Sequence, residues 1–170
     1  MCCLFGLLDY GKSLSGQSKH LILRVLAKAC EARGTNATGF AYFQGDQLEI
    51  QKAPKAARRM KFFIPTDAHL IMGHTRMTTQ GSEKRNYNNH PFAGEAGDEA
   101  FALAHNGVLH NDEILRQDLW LPQTRIETDS YVAVLLLERA GKIGFDALRA
   151  MAEQLEGTFT MTTLTKDALY

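Results

Sequence analysis

Apolar positions along the chain repeat with two periods, every second residue in some segments and every third or fourth in others. Residues 2–8 form an apolar run that ends at the turn-like Asp9-Tyr10-Gly11, which predicts a first strand. Residues 18–33 follow the helical period, and Gly34 stands past the predicted helix end. The apolar face of this helix would consist of Ile22, Val25, Leu26, Ala29 and Cys30, which places Cys30 in the core.

The same two periods divide the rest of the chain. Residues 39–51 alternate about the turn dipeptide Gly45-Asp46 and predict a hairpin. The other predicted elements are a short helix over 54–62, strands over 69–75, 100–105 and 157–164, and helices over 112–119, 130–140 and 144–156, with a polar, irregular segment over 78–89. Because strands and helices come in blocks, the sequence predicts an α+β fold rather than a doubly wound parallel sheet. Turn signals are spread evenly, which indicates one domain over residues 1–170.

The charge balance argues against several classes of partner. The 19 basic and 19 acidic residues cancel, so no overall field favours nucleic acid or an anionic membrane. A small neutral or zwitterionic ligand suits this balance better. The basic cluster within residues 55–61 is interpreted as the solvated face of the short helix, with an anionic partner as the alternative.

The number of cysteines and the lack of long apolar segments indicate the cellular compartment in which the protein is expected. Three cysteines, an odd number with two adjacent, do not form the pattern of a disulfide framework. The apolar opening is too short for a signal peptide, and no segment approaches the roughly eighteen apolar residues of a membrane span. We therefore expect a cytoplasmic protein whose thiols stay reduced.

Cys2 carries the most informative candidate chemistry. Removal of Met1 would make Cys2 the first residue, which would then carry both a thiol and an α-amine with a pKa of about 7.7 to 8.0. An N-terminal residue whose own amine activates its side chain is a recognised kind of nucleophile. The alternative is that Cys2 and Cys3 simply pack within the first strand.

Two polar clusters follow predicted strands. Arg76 comes at the end of the strand predicted over 69–75, where it is either a surface charge or a side chain placed for bidentate recognition of a carboxylate. Asn106 and Gly107 follow the strand predicted over 100–105. They form either a tight turn or an oxyanion hole made from the Asn106 amide and the Gly107 backbone N–H.

A third cluster opens the helix predicted over 130–140. Asp129 either caps that helix or holds the ammonium group of an amino-acid ligand, and it is ionised in both cases. A metal site is the rival interpretation for the four histidines His74, His90, His105 and His110. Their spacing has neither the helical i, i+4 pairs nor the Cys-x-x-Cys context of zinc sites, so we predict no metal site. We also predict no cofactor.

Taken together, these clusters resemble the glutaminase domain of the class II glutamine amidotransferases, a group within the N-terminal nucleophile hydrolases. The resemblance extends from Met1 to about Leu164, and its specificity lies in the order of several short motifs. These are Met1-Cys2-Cys3-Leu4-Phe5-Gly6, Arg33-Gly34-Thr35, Ala37-Thr38-Gly39, Gly73-His74-Thr75-Arg76, Asn88-Asn89-His90-Pro91-Phe92, His105-Asn106-Gly107 and Thr128-Asp129-Ser130.

The resemblance implies a four-layer αββα sandwich of two antiparallel sheets, with Cys2 at its centre. It implies that the Cys2 sulfur attacks the side-chain amide of glutamine while the oxyanion rests on Asn106 and Gly107. The Cys2 amine would shuttle the proton. Ammonia would leave, and water would hydrolyse the γ-glutamyl thioester to glutamate.

The resemblance also implies a substrate pocket. Arg76 would take the α-carboxylate of glutamine and Asp129 its α-ammonium group. The residues that complete the pocket would be Met77, Thr78 and Thr79. His90-Pro91-Phe92 is interpreted as structural.

The sequence departs from the family pattern at several points. Cys3 stands where glycine is usual, Met77 where an aromatic residue is common, and Gln80 where histidine is frequent. The chain ends at Tyr170, where family members usually continue into the sheet, so we expect a domain truncated at its C-terminal end, without an attached synthase. Ammonia would pass to an acceptor on another protein or be released. Formation of a homo-oligomer that covers an edge strand is an alternative that the sequence leaves open.

The leading hypothesis is a stand-alone glutamine-hydrolysing subunit or domain. One alternative keeps the N-terminal nucleophile but changes the substrate to another amino-acid amide. A second, from a different class, is a non-catalytic regulatory module that binds glutamine without turnover.

Overall fold

The computed structural model describes residues 2–170, which form seven strands, four α-helices and two short 3-10 turns. In chain order the strands and helices are β1 (Cys3–Leu8), α1 (Gly16–Cys30), β2 (Ala37–Gln44), β3 (Gln47–Ala53), β4 (Leu70–Arg76), β5 (Phe92–Ala96), β6 (Glu99–Leu109), α2 (Asp112–Asp118), α3 (Tyr131–Ala140), α4 (Phe145–Gln154) and β7 (Gly157–Leu164). The 3-10 turns cover Ala57–Arg59 and Asn86–Asn88.

The strands form two sheets in which all neighbours are antiparallel. Sheet A has the order β1-β4-β2-β3, and sheet B has the order β5-β6-β7. The β2–β3 hairpin turns at Gly45, whose φ of 59° is readily adopted by glycine. The hairpin predicted over 39–51 is therefore confirmed.

Three apolar clusters join the layers. One joins α1 to the outer face of sheet A and includes Leu23, Phe40 and Ile71. A second fills the space between the sheets, where Met72 of sheet A packs with Ala104 of sheet B. The third joins sheet B to α3 and α4. The order helix, sheet, sheet, helix confirms the predicted four-layer αββα sandwich.

Helix α1 buries a different face from the predicted one. Leu23 and Ala27 are fully buried, whereas Val25 and Ala29 of the predicted face are exposed. Cys30 is only half-buried, so its placement in the core was wrong. The apolar residues of α1 allow more than one stripe at helical spacing, and packing on sheet A selects among them.

The buried face of α1 also contains a charged residue. The ammonium group of Lys19 is fully buried, donates to the carbonyl oxygens of Thr66 and Ala68 at 2.6 and 2.7 Å, and lies 3.1 Å from the Asp9 carboxylate. These three partners satisfy the three donors of an ammonium group. Because the buried face of α1 contains a lysine, a prediction based on apolar residues alone did not identify that face.

Gly34 lies three residues beyond the helix C-cap, Glu31, and does not terminate the helix as predicted. A Cβ atom at Gly34 would lie 2.5 Å from the backbone carbon of Arg76. Gly34 therefore lets the turn after α1 approach the end of β4 closely.

Two further predictions of local structure were wrong, and one strand was missed. The helix predicted over 54–62 is only the turn Ala57–Arg59, since a short helical segment needs tertiary support to persist. The tight turn considered at Asn106-Gly107 does not form, because β6 continues through both residues and pairs with β7. Strand β5 was missed, since its glycine and alanines give weak strand signals.

The remaining predicted elements agree with the structure within a few residues. Helices α2, α3 and α4 and strands β1, β4 and β7 all occur where the patterns predicted them. After β7 the chain folds back, and Tyr170 and Thr163 exchange two backbone hydrogen bonds. Among residues 2–170, no helix is long and apolar enough to cross a membrane.

Candidate active site

A small cleft lies where β1 and β4 of sheet A meet β6 of sheet B and the start of α3. Cys3 pairs with Thr75, which places the preceding Cys2 beside Arg76 at the same end of sheet A. The cleft is lined by six residues that were predicted to form the catalytic site and substrate pocket, Cys2, Arg76, Met77, Thr79, Gly107 and Asp129. It is also lined by five others, Gln80, His90, His105, Thr128 and Ser130.

The Cys2 thiol is half-buried and donates to the Met77 carbonyl oxygen at 3.6 Å. The backbone carbonyl oxygen of Cys2 accepts a hydrogen bond from Arg33 Nε at 3.0 Å, which connects Cys2 to the turn after α1. Burial raises the pKa of the Cys2 thiol. The sulfur is therefore a protonated thiol at neutral pH, and it needs a nearby base to become a nucleophile.

Arg76 is buried at the end of β4 and holds the loop that follows. Its guanidinium group donates to the carbonyl oxygens of Gln80 and Gly81 and, at 2.7 Å, to Asn89 Oδ1. Within residues 2–170 these bonds use three of the five N–H groups of arginine. Arg76 is therefore not the free surface charge that one interpretation of the sequence allowed.

Asp129 is buried directly before α3 and binds backbone and hydroxyl donors. Its Oδ2 accepts from the Leu109 N–H at 2.8 Å, and its Oδ1 accepts from the N–H and the hydroxyl of Ser130 at 2.8 and 3.2 Å. Ser130, not Asp129, is the N-cap residue of α3. The bond to Leu109 fixes the start of α3 against the end of β6, which positions this carboxylate at the cleft.

Asn106 and Gly107 lie side by side in β6, and only Gly107 lines the cleft. A Cβ atom at Gly107 would lie 1.8 Å from the Thr158 carbonyl oxygen, and its φ is 154°. Glycine is thus required for the close approach of β6 and β7. The Asn106 Oδ1 atom is buried and has no hydrogen-bond partner within residues 2–170.

The segment after Arg76 forms the lip of the cleft. Met77 is 44% exposed there, and Thr79 lines the cleft. Thr78 does not, since its N–H donates to Asn36 Oδ1 at 3.0 Å and its hydroxyl to Glu83 at 3.3 Å. Gln80 accepts from the Asp129 N–H through Oε1 at 3.2 Å, so this departure from the family pattern contacts a predicted site residue.

Three buried histidines form a cluster that the sequence analysis did not assign to the site. The rings of His74 and His90 lie 4.3 Å apart, and His74 Nε2 lies 3.0 Å from the His105 carbonyl oxygen, which joins the two sheets. His105 Nδ1 lies 2.7 Å from the Ser130 hydroxyl. In the part of the chain that the structure describes, both ring nitrogens of His90 lack a partner. The motifs containing these histidines were visible in the sequence, but their shared location depends on sheet stacking.

Burial lowers the pKa of all three histidines, that of His74 to about 3 and that of His90 well below its usual value. The cluster is therefore neutral at physiological pH. Among residues 2–170, no group of three or more His, Cys, Asp or Glu is placed to hold a metal ion.

The histidine cluster predicts acid sensitivity. Below pH 6.5 an unfolded histidine takes up a proton that the buried, neutral histidine does not, so the free energy of unfolding falls as pH decreases. By pH 5 the loss is about 2 kcal/mol for a single histidine whose folded-state pKa lies well below 5. We expect His90→Phe, which keeps a ring between His74 and Phe92, to reduce the difference in the free energy of unfolding between pH 7 and pH 5, because burial lowers the pKa of His90.

Urea unfolding at the two pH values measures this effect. His110→Phe is the matched control, because His110 is exposed and meets water in both states. An identical difference for the parent chain and His90→Phe would contradict the assignment of acid sensitivity to His90.

A larger cavity of about 450 Å³ lies at the other end of β1. Its lining includes Asp9, Lys12, Asp67 and His69 but none of the residues singled out from the sequence. Cavity size therefore does not identify the site, whereas the grouping of a thiol, a guanidinium group and a carboxylate in the smaller cleft does.

Sequence comparison identifies similar proteins along nearly the whole chain. The family model described as glutamine amidotransferases class-II matches residues 1–164. An isomerizing glutamine–fructose-6-phosphate aminotransferase from Chlamydia muridarum is 29% identical over 174 residues, covering 98% of this chain and 27% of that protein. The corresponding protein from Staphylococcus epidermidis is 32% identical over 181 residues, covering 100% of this chain and 28% of that protein. The chain thus spans little more than a quarter of the length of these relatives.

Solved structures share the fold at low sequence identity. The structure of an allosteric regulatory enzyme of purine biosynthesis has a TM-score of 0.77 at 20% identity, covering 98% of this chain and 36% of that chain. A glutamine phosphoribosylpyrophosphate amidotransferase from B. subtilis has a TM-score of 0.68 at 19% identity, covering 97% and 35%. At these identities the likeness bears on the fold alone.

Proposed function

Because the chain belongs to the class-II glutamine amidotransferases, we propose that it hydrolyses the side-chain amide of glutamine with Cys2 as the nucleophile. The observation that carries the proposal is the composition of the cleft. Cys2 lines the same small cleft as Arg76, Asp129 and Gly107. Glutamine is a zwitterion with a neutral amide, so one cation, one anion and an amide-facing donor match its functional groups.

The first half of the reaction forms a thioester. The Cys2 sulfur attacks the amide carbon of glutamine, and the negative charge on the amide oxygen is stabilised by the Asn106 side-chain amide and the Gly107 backbone N–H. The carbon–nitrogen bond then breaks. Ammonia leaves with the proton that came from the thiol, and a γ-glutamyl thioester remains on Cys2.

The second half releases glutamate. Water attacks the thioester carbonyl carbon, the same two donors stabilise the oxyanion, and the carbon–sulfur bond breaks. The thiol regains a proton and the site is ready for another glutamine.

The base in both halves is the α-amine of Cys2, freed by removal of Met1. Its pKa of about 7.7 to 8.0 lies near the operating pH, which suits proton transfer in both directions. The neighbouring histidines are weaker bases because burial lowers their pKa. This difference favours the amine over His90 or His105.

The charged side chains of the cleft determine the substrate. The N–H groups of Arg76 that do not hold the loop would take the α-carboxylate of glutamine. Asp129 would take the α-ammonium group, and the lip formed by Met77 and Thr79 would close over the amino-acid backbone. Thr78 contributes through its hydrogen bond to Asn36, which holds that lip in place.

The ammonia acceptor lies outside the proposed glutaminase domain. We treat residues 1–170 as one glutaminase domain and infer that a synthase, on another segment or another protein, consumes the ammonia. The relatives' names describe transfer from glutamine to fructose 6-phosphate, which makes a phosphorylated sugar a candidate acceptor. The three free thiols fit a reducing cytoplasm.

A panel of amides tests the proposal. Glutamine should yield glutamate and ammonia in equal amounts. Blocking its α-amine or its α-carboxylate should each lower kcat/KM by roughly 10- to 100-fold, since each change removes hydrogen bonds to a charged group.

Equal rates with blocked and unblocked amides would instead support an N-terminal nucleophile hydrolase of another amide. Binding of glutamine without release of ammonia, before and after addition of a synthase from the relatives, would support the non-catalytic regulatory module.

A further inference from the structure

Two thiols other than Cys2 lie against each other on the outer face of sheet A. The sulfur atoms of Cys3 and Cys30 are 2.8 Å apart. A disulfide bond is about 2.05 Å long, so the two atoms lie within about 0.8 Å of bonding distance. Cys3 is the first residue of β1 and Cys30 the last residue of α1, and both are half-buried.

Thr75 holds the backbones of both cysteines. Cys3 is its partner in the β1–β4 ladder, and the Thr75 hydroxyl donates to the Cys30 carbonyl oxygen at 3.1 Å. The two sulfur atoms therefore face each other across a fixed frame. Closing the bond requires small side-chain rotations rather than movement of α1 or β1.

Cys2 is kept out of this pair by strand geometry. Successive side chains of a strand point to opposite faces, so Cys2 lines the cleft between the sheets while Cys3 contacts α1. The vicinal cysteines thus belong to two different environments. Chemistry at Cys3 leaves the sulfur of Cys2 in place.

We infer that Cys3 and Cys30 are a redox modification site, which forms a reversible intramolecular disulfide with low-molecular-weight disulfides as the oxidant. The Cys3 thiolate attacks one sulfur of the small disulfide, and one small thiol leaves. The Cys30 sulfur then attacks the Cys3 sulfur of the mixed disulfide, loses its proton and expels the second small thiol. The two cysteines lose two electrons and two protons, which convert the small disulfide into two thiols.

The environment of Cys30 supports this order of steps. Burial and the neighbouring Cys3 thiol raise the pKa of Cys30 to about 12, so Cys30 is protonated at neutral pH. It is therefore the resolving thiol rather than the first attacker. The Cys30 thiol already lies beside Cys3 when the mixed disulfide forms, so the second step is intramolecular.

The disulfide would close a loop of 28 residues, counted from Cys3 to Cys30. Such a closure stabilises the folded state by restricting the unfolded chain. For a chain of this size we expect Tm to rise by roughly 5 to 10 °C on oxidation.

Peptide mapping without reductant tests the inference. After incubation of the full chain with excess glutathione disulfide, we expect one cross-linked peptide pair containing Cys3 and Cys30, which dithiothreitol reverses. Cys2→Ser should keep the cross-link, whereas Cys30→Ser should lose both the cross-link and the rise in Tm. Cross-links that include Cys2, glutathione adducts on Cys3 and Cys30 without a cross-link, or free thiols throughout would overturn it. The readout is a covalent bond, so it does not depend on glutamine turnover.

Discussion

Replacing Cys2 with alanine is expected to reduce glutamine hydrolysis by roughly 10⁴-fold or more, because no other side chain supplies the attacking atom. The parallel replacement Cys3→Ala should leave the rate near that of the parent chain. The two residues are adjacent, but Cys3 contacts Cys30 on the opposite side of the strand. The pair of variants therefore separates the nucleophile from its neighbour.

Measurement of glutamate release under saturating glutamine gives both rates. Thermal unfolding of each variant controls for loss of fold. A large loss in Cys3→Ala at unchanged Tm, or a near-parental rate in Cys2→Ala, would mean that the nucleophile is misassigned.

The second large effect is expected at Asn106. If its side-chain amide donates to the oxyanion, Asn106→Ala should lower kcat by about 10²- to 10³-fold with little change in KM. The donor acts on charge that develops only in the transition state, so ground-state binding is largely unaffected.

Asn111 provides a matched control on the same part of the fold. Its side chain donates to the Gln154 carbonyl oxygen at 2.9 Å and accepts from the Glu156 N–H at 3.0 Å. Asn111→Ala should therefore cost stability, about 1 to 3 kcal/mol, and leave kcat per folded molecule near that of the parent. Similar losses of kcat in both variants would argue against an oxyanion role for Asn106.

The sequence predicted those parts of the fold that depend on local signals. The β2–β3 hairpin combines an alternating pattern with a turn glycine, and α3 is followed by the C-cap residue Gly141, whose φ is 70°. These features require only neighbours along the chain. Their bounds agree with the structure within a few residues.

The parts that were missed depend on distant neighbours. Asn-Gly is a common turn dipeptide, and only pairing with Thr160 and Phe159 keeps Asn106 and Gly107 extended. The buried face of α1 depends on the sheet beneath it and on the partners of Lys19. Neither the strand pairing of Asn106 and Gly107 nor the packing of α1 can be predicted from a short stretch of sequence.

In the candidate site, too, the sequence indicated some features, whereas others depend on contacts between distant residues. The position after Met1 indicated Cys2, the end of a predicted strand indicated Arg76, and the start of a predicted helix indicated Asp129. The loop held by Arg76, the contact between Gln80 and Asp129 and the grouping of three histidines come from stacking one sheet on the other. The spacing of motifs along the chain does not specify how the two sheets stack.

Alkylation by a glutamine-like diazoketone, followed by mass spectrometry of the intact chain and of its N-terminal peptide, tests whether Cys2 is the nucleophile. We expect one adduct, on the sulfur of Cys2, in chains from which Met1 has been removed, and prior addition of glutamine should prevent it. Adducts on Cys3 or Cys30 instead, or full glutamine hydrolysis by chains that retain Met1, would show that the free N-terminal Cys2 is not the nucleophile.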